Sequence, residues 1–414
     1  MEEHLSRWKL QRIESDEAYS RFQRQHLIPQ ELTRLSQLSA RRRAGADAKS
    51  EVAFYDFAAK AHIVPVLYSQ HYDYYREIGP LIAERVGDAG RILDVGCGVG
   101  ILTTFYAALD PNRQVVGIDR SPASLVQARK QAEMLGLKNL TFECLDYETA
   151  DVPGPFELVI TTHALLQTEH DPGLPSRDWR TFDRDRDDAA QADFEARTGL
   201  RPGLDRLVAT LDSSGPTGRM LIVEKARHLA RRVPFQRALA SRGLMLTEPP
   251  IPIQYHLVDE LTEDGPFYVL ERPRTMRAAD SSNPWKESPE WDETARFDPD
   301  MHSVAAPLSD QPLYENHSPT AEVVWAHLPQ RRVVKEATRQ EPDGRQLHVE
   351  LGAFQHFTYL YCANTFDQRQ LVIVESSQKA IVESYYEEIA RSLSDIASQT
   401  PLPSFSRSCI RRTT

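Results

Sequence analysis

Apolar residues follow two rhythms along this chain, and the change from one to the other falls near residue 88. Over residues 1–88 Leu5, Trp8 and Ile13 fall roughly on one helical face, and Glu51–Arg85 repeats aromatic and aliphatic residues at mixed helical spacings. A helical N-terminal cap over 1–88 is expected. From Arg91 the apolar positions gather into short runs separated by helical stretches: ILDV from Ile92, QVVGID over Gln114–Asp119, LTFEC over Leu140–Cys144, FELVITT over Phe156–Thr162 and GRMLIVE over Gly218–Glu224. Strands alternating with helices predict a mostly parallel sheet covered on both faces, here over 89–272. Ser121 and Pro122 supply an N-cap and a first-turn proline for a helix to Leu135. A helix Pro234–Arg242 and an antiparallel edge pair, Ile253–Val258 with Phe267–Leu270, close this part of the chain.

Sustained period is lost over 273–320, where Pro273, Pro284, Pro289, Pro299, Pro307, Pro312 and Pro319 mark a linker. Trp285 and Trp291 imply that it is docked on a surface, because exposed indoles cost solubility. Order returns over 321–395. A helix with Val324, Trp325 and Leu328 precedes strands at Arg331–Glu336, His348–Leu351, Thr358–Cys362 and Leu371–Glu375. The helix Ala380–Leu393, with Ile381, Tyr385, Ile389 and Leu393 on one face, completes a small α+β domain. Docking or homodimerisation is its expected role, and 396–414 is read as a tail.

Composition narrows the class. A length of 414 residues exceeds what one core supports, and a mean hydropathy of −0.49 describes a soluble protein. No apolar run is long enough to span a membrane, and MEEHLSRWKL lacks a secretory signal. Cys97, Cys144, Cys362 and Cys409 lack paired spacing, so a reducing, cytoplasmic setting is expected. His317, His348 and His356 match no zinc pattern, and no metal is expected. A net charge of −11 argues against general affinity for nucleic acid.

The chemistry gathers around ILDVGCGVG, Ile92–Gly100: a strand, then Gly96, Gly98 and Gly100, then a helix opened by Ile101 and Leu102. Glycine lets a backbone approach a ligand closely. Asp119, closing the second strand, has the place of an acid that accepts both ribose hydroxyl protons. The Gly-x-Gly-x-Gly spacing with Asp94 at the strand end resembles the first motif of the class I S-adenosylmethionine-dependent methyltransferases, over about residues 50–272. The resemblance implies a Rossmann-like seven-stranded α/β sheet and S-adenosyl-L-methionine as cofactor. It further implies that Asp94, Gly96, Gly98 and Gly100 line the methionine and ribose side, with Asp119 and Arg120 at the ribose. By the same resemblance Asp146 meets the adenine amino group, Tyr147 packs beside the ring and Thr162 ends the fourth strand at the site, while Tyr55 either packs its ring on the core within the helical cap or reaches the methionine part from a lid.

His163, directly after that strand, is the candidate general base; packing beside the cofactor is its other reading. Glu169 and His170 orient an acceptor or are loop surface. The mixed-charge insertion 168–201 is too polar for core and is either solvated or recognises the acceptor. Arg227, His228, Arg231 and Arg232 hold an acceptor anion or form a basic helix surface. Thr161-Thr162-His163-Ala164 replaces the Pro-Pro motif of amino-methylating nucleic-acid enzymes, and no Pro-Cys pair serves pyrimidine attack. The reading is therefore methyl transfer to an O, N or C atom of a small-molecule acceptor. The alternatives are a protein or RNA acceptor presented by the C-terminal domain, and a cofactor-binding scaffold without catalysis.

Overall fold

A computed structural model describes residues 1–43, 48–166, 171–211, 217–273, 285, 291–300, 312–341 and 345–394. Glu169, His170, the tail 396–414 and most of the Pro-rich segment 273–320 lie outside the described residues. The chain divides into two compact units, 1–174 with 186–287 and 175–185 with 288–414.

The first unit is built on one sheet. Strands β1 (Arg91–Val95), β2 (Gln114–Asp119), β3 (Leu140–Cys144), β4 (Leu158–Thr162) and β5 (Thr217–Val223) are joined by β6 (Met245–Leu246), β7 (Ile251–Leu257) and β8 (Glu260–Pro273). Their order is β3-β2-β1-β4-β5-β8-β6, and β7 pairs with β8 off that path. The five strands from β3 to β5 run parallel, whereas β8 is antiparallel to β5, β6 and β7. With 14 residues, β8 is long enough for one half to pair with β7 and the other with β5 and β6. The expected Rossmann-like sheet is thus present, with a hairpin partner added at its antiparallel edge.

Alternation of side chains fills a core on each face. Ile92, Leu158, Ile160, Leu221 and Val223 enter one core, with Ile78, Ile82 and Tyr106 from helices Tyr72–Val86 and Ile101–Leu109. Leu93, Val95, Val159, Met220 and Ile222 enter the other, with Phe194, Leu207 and Phe235. Both faces are apolar, so these strands read as nearly continuous apolar runs. The N-terminal segment is helical at Glu2–Arg7, Asp16–His26, Pro29–Arg43, Ala48–Ala58, Val64–Tyr68 and Tyr72–Val86. Its first helix is fastened by His4 Nε2, 2.8 Å from the Ile101 carbonyl, and by the Trp8 indole donating to Thr104 Oγ1 at 3.3 Å.

Three details differ from the sequence reading. The helix expected at Pro234 begins at Leu229, and Pro234 is accommodated inside it. Residues 175–185 of the charged insertion belong to the second unit, where Trp179 is 6% exposed and Arg184 forms a buried ion pair with Asp367. Charge alone suggested solvated surface; a partner distant in sequence makes burial tolerable. A strand inside the supposed linker, β9 (Tyr314–Asn316), was too short to leave a period. Trp285 is docked as expected, buried against Tyr268 in the first unit.

The second unit carries an antiparallel sheet ordered β10-β11-β12-β13-β9, with β10 at Arg332–Gln340, β11 at Gln346–Phe354, β12 at Phe357–Asn364 and β13 at Arg369–Glu375. Helices Thr320–Ala326 and Lys379–Ser394 accompany it. Arg369, fully buried, donates to the carbonyls of Asn364 (2.7 Å) and Trp179 (2.9 Å) and pairs with Glu322 at 2.5 Å. Cys97, Cys144 and Cys362 are free. Among the described residues no helix is long and apolar enough to cross a membrane.

Candidate functional site

The loop after β1 is tied to the end of β2. The N–H groups of Gly96 and Cys97 both donate to the Ile118 carbonyl, at 2.9 and 3.0 Å. Gly96 has φ +70°, and a Cβ there would lie 2.7 Å from Ala164 Cβ. Gly96→Ala should therefore destabilise the first unit by about 1–3 kcal/mol through strain and crowding, measured as a lower urea midpoint at unchanged slope. Gly98 has φ +53°, and a Cβ there would meet nothing within 4 Å. That open space forms one wall of a cradle a ligand can occupy. Gly100 precedes helix Ile101–Leu109 as its N-cap residue.

Asp119 closes the cradle. Its Oδ2 accepts the Gly98 N–H at 2.8 Å and its Oδ1 the Ser121 N–H at 2.7 Å. A carboxylate has about four lone-pair sites, so each oxygen retains one for a further donor. Burial pushes the Asp119 carboxyl above the ordinary range, and the two amides oppose that rise. Beneath the loop, Asp94 is 2% exposed and accepts the Thr103 hydroxyl at 2.6 Å. Burial lifts its carboxyl to about 7, the Thr103 hydrogen bond opposes this, and neighbouring Asp119 adds to it. The folded value lies above the unfolded one of about 3.9. Folding stability from this group is therefore present below pH ~4 and lost as pH rises to ~7. Asp94→Asn should be more stable than the parent at pH 8 by about 1–2 kcal/mol, after a deduction for imperfect amide fit, and no more stable at pH 4. Urea unfolding at the two pH values checks this.

The other candidates lie around the same strand ends. Asp146, half-buried after β3, accepts the Glu148 N–H at 3.0 Å in a tight turn. Arg120 is engaged by Glu51 at 2.6 Å and Glu148 at 3.7 Å. Tyr55, on helix Ala48–Ala58, accepts a hydrogen bond from Arg42 Nη1 at 3.2 Å. On the same helix Asp56 Oδ1 accepts the Ser121 hydroxyl at 2.7 Å and so joins the cap to the ribose end of the loop. Tyr147 departs from its expected role. It is 5% exposed, packs over Gly203 in the apolar core and donates its hydroxyl to the Ala164 carbonyl. Turn 146–148 directs its ring inward, so Tyr147 supports the loop after β4 rather than flanking a ligand.

That loop has an unusual backbone. Thr162 ends β4, and His163 follows with φ +57°, rare for a residue with a side chain. The conformation is held from β5: the His163 N–H donates to the Val223 carbonyl at 2.8 Å, and Glu224 Oε1 accepts the Ala164 and Leu165 N–H groups at 2.7 Å each. Strain retained by surrounding structure is a pointer to function. The His163 ring, 24% exposed, stacks on Tyr74 with centroids 4.9 Å apart. Its Nε2 lies 3.0 Å from Asp264 Oδ2, which also accepts the Tyr255 hydroxyl at 2.6 Å. Asp264 sits where the β7–β8 register shifts, a bulge that re-aims its side chain. Burial pushes its carboxyl up, but His163 and Tyr255 outweigh this and hold it at about 2. His71, nearby, is pushed down to about 4 by burial and by His163.

Glu224, Tyr255 and Asp264 are the contributors that sequence reasoning missed. Glu224 was visible as the acid ending β5, but its target is backbone distant in sequence. Tyr74 lies within Glu51–Arg85, whose aromatic and aliphatic repeat assigned it no contact.

Residues 87–197 match the family described as methyltransferase domain. Among curated relatives, the ribosomal protein L11 methyltransferase of Geobacter metallireducens is 40% identical over 77 residues, 19% of this chain and 24% of that protein. The trans-aconitate 2-methyltransferase of Deinococcus radiodurans is 35% identical over 104 residues, 25% of this chain and 37% of its own length. The release factor glutamine methyltransferase of Escherichia coli is 27% identical over 158 residues, 38% of this chain and 46% of that one. The matched segments span less than half of each of these relatives.

Proposed function

We propose that this chain, whose residues 87–197 match a methyltransferase-domain family, is a class I S-adenosylmethionine-dependent methyltransferase that transfers a methyl group to an O, N or C atom of a small-molecule acceptor. One observation carries the reading. The glycine cradle and Asp119 on β1 and β2 share a sheet edge with a His163–Asp264 pair beyond β4. Ligands of open α/β sheets bind at these carboxyl ends.

The residues present fit the cofactor. The open wall at Gly98 would receive the amino-acid and ribose portion, Asp119 retains lone pairs that would accept the ribose hydroxyls, and Asp146, after β3, would meet the base. When bound, the cofactor supplies an electrophilic methyl group on a sulfonium. The remaining work falls to the chain: positioning two reactants in line, excluding water and taking a proton where the acceptor carries one. Asp264, ionised at neutral pH, engages His163 Nε2 and leaves Nδ1 without a partner among the described residues. Nδ1 is then the atom that accepts the acceptor's proton.

Acceptor size follows from the surroundings of His163. Tyr74 covers its ring and only about a quarter of the side chain is exposed, which suits a small molecule entering a recess. The net charge of −11 also disfavours a polyanion. The test supplies S-adenosylmethionine labelled in its methyl group to the pure chain with fractionated metabolites, protein or RNA. Acceptor-dependent release of S-adenosylhomocysteine with label in the metabolite fraction supports the proposal. Label that enters only protein or RNA sinks it.

A further inference from the structure

In the second unit, strands β10 and β11 bring together three side chains that lie apart in the sequence. Their register sets Glu336 directly opposite Glu350 and Thr338 opposite His348. Directly opposed residues of antiparallel strands share a face, and so do residues two apart on one strand. Glu336, Glu350 and His348 therefore converge, with one ligand atom from each within 4.8 Å of the others. Like charges directly opposed across strands are destabilising unless something lies between them.

The histidine is the informative member. His348 is 1% exposed, and its Nε2 is buried with no hydrogen-bond partner among the described residues. The rest of the ring is fixed. Nδ1 lies 2.8 Å from Thr338 Oγ1, and the Trp179 indole stacks on the ring face with centroids 3.6 Å apart and planes at 1°. Stacking covers a face and leaves the in-plane lone pair of Nε2 open. Nε2 lies 3.7 Å from Glu350 Oε2. Glu350 is oriented from its other oxygen, since Oε1 accepts the Trp325 indole at 3.1 Å and the Tyr359 hydroxyl. Outer hydrogen bonds that fix one ring nitrogen and one carboxylate oxygen, leaving the others unengaged, are those that orient metal ligands.

We propose that Glu336, His348 and Glu350 bind a divalent first-row transition-metal ion, Zn²⁺ more tightly than Mn²⁺. One imidazole nitrogen with two carboxylate oxygens suits such ions, whereas Ca²⁺ requires six to eight oxygens and Mg²⁺ a strict octahedron of them. Four-coordinate ligands about 2.0–2.2 Å from zinc stand roughly 3.4 Å from one another, so the three side chains need only a small contraction. Glu336 is exposed and leaves the outer side of the ion open to water. The ion would tie edge strand β10 to β11. Linear zinc spacing did not reveal the site because its ligands come from two paired strands.

The experiment uses the full-length, tag-free chain stripped with a chelator. Zn²⁺, Mn²⁺, Mg²⁺ and Ca²⁺ are titrated separately by calorimetry, and bound metal is counted by mass spectrometry. The parent is expected to take up one Zn²⁺ per chain, and Glu336→Gln to weaken that binding at least about tenfold. His348→Gln should abolish it, with far-UV circular dichroism as the check on folding. If His348→Gln fails to fold, the exposed Glu336→Gln still decides the matter. Absence of stoichiometric Zn²⁺, binding unchanged in Glu336→Gln, or equal affinity for Mg²⁺ would each overturn the proposal.

Discussion

Asp119→Ala is expected to weaken S-adenosylmethionine binding by at least about 100-fold, read by calorimetric titration against the parent chain. Two hydrogen bonds from ribose hydroxyls to an ionised carboxylate contribute about 1.5–3 kcal/mol each, and about 2.7 kcal/mol is already 100-fold. The carboxylate has a second task, because the N–H groups of Gly98 and Ser121 both depend on it. Alanine removes both functions, so a companion variant separates them. Asp119→Asn retains one acceptor oxygen and much of the loop support, and should lose about 10-fold to 100-fold. Equal, near-complete losses in both variants would indicate that the charge matters most. Parent-like binding by either variant would remove Asp119 from the ribose role and the central fit of the site with it. Neither variant should alter the second unit, whose sheet has its own core around Leu371, Ile373, Tyr359 and Tyr361.

The sheet and glycine loop were legible because their signals are local. Ile92–Val95 is buried on both faces and Gln114–Asp119 largely so, and an apolar run ending in Gly or Asp is visible in a single window, whereas edge strand Leu140–Cys144 buries only Phe142. Tyr147 was misread for the opposite reason. Its neighbour Asp146 and its place after β3 suggested the ligand, while the contact that decides its orientation comes from Gly203 and the Ala164 carbonyl. The last helix shows a milder form of this difficulty. A stripe through Ile381 and Tyr385 was expected, but Val382 and Tyr386 are the residues buried against the sheet, with Tyr385 and Ile389 alongside. Adjacent apolar positions support either stripe, and only the packed sheet selects between them. Asp264 left no local trace, because a hairpin bulge aims it at a histidine about a hundred residues away.

His163→Ala is expected to lower kcat roughly 10²–10⁴-fold with an acceptor that must lose a proton, while S-adenosylmethionine affinity stays near the parent value. The split follows from the geometry: the cofactor cradle belongs to Gly98 and Asp119, whereas among the described residues His163 contacts Tyr74, Asp264 and the Val223 carbonyl. Its neighbours should grade the effect. Asp264→Asn removes the carboxylate at Nε2 and should lower kcat by less than the loss of the ring itself. Tyr255→Phe removes one hydrogen bond to Asp264 and should have the smallest effect of the three. All three variants leave the Glu224 clamp on Ala164 and Leu165 intact, so the loop should retain its course. A uniform rise in acceptor KM with unchanged kcat would mean that His163 shapes the pocket without moving a proton. A loss confined to kcat and graded along His163, Asp264 and Tyr255 would mean that the strained residue after β4 is held there to act as a base.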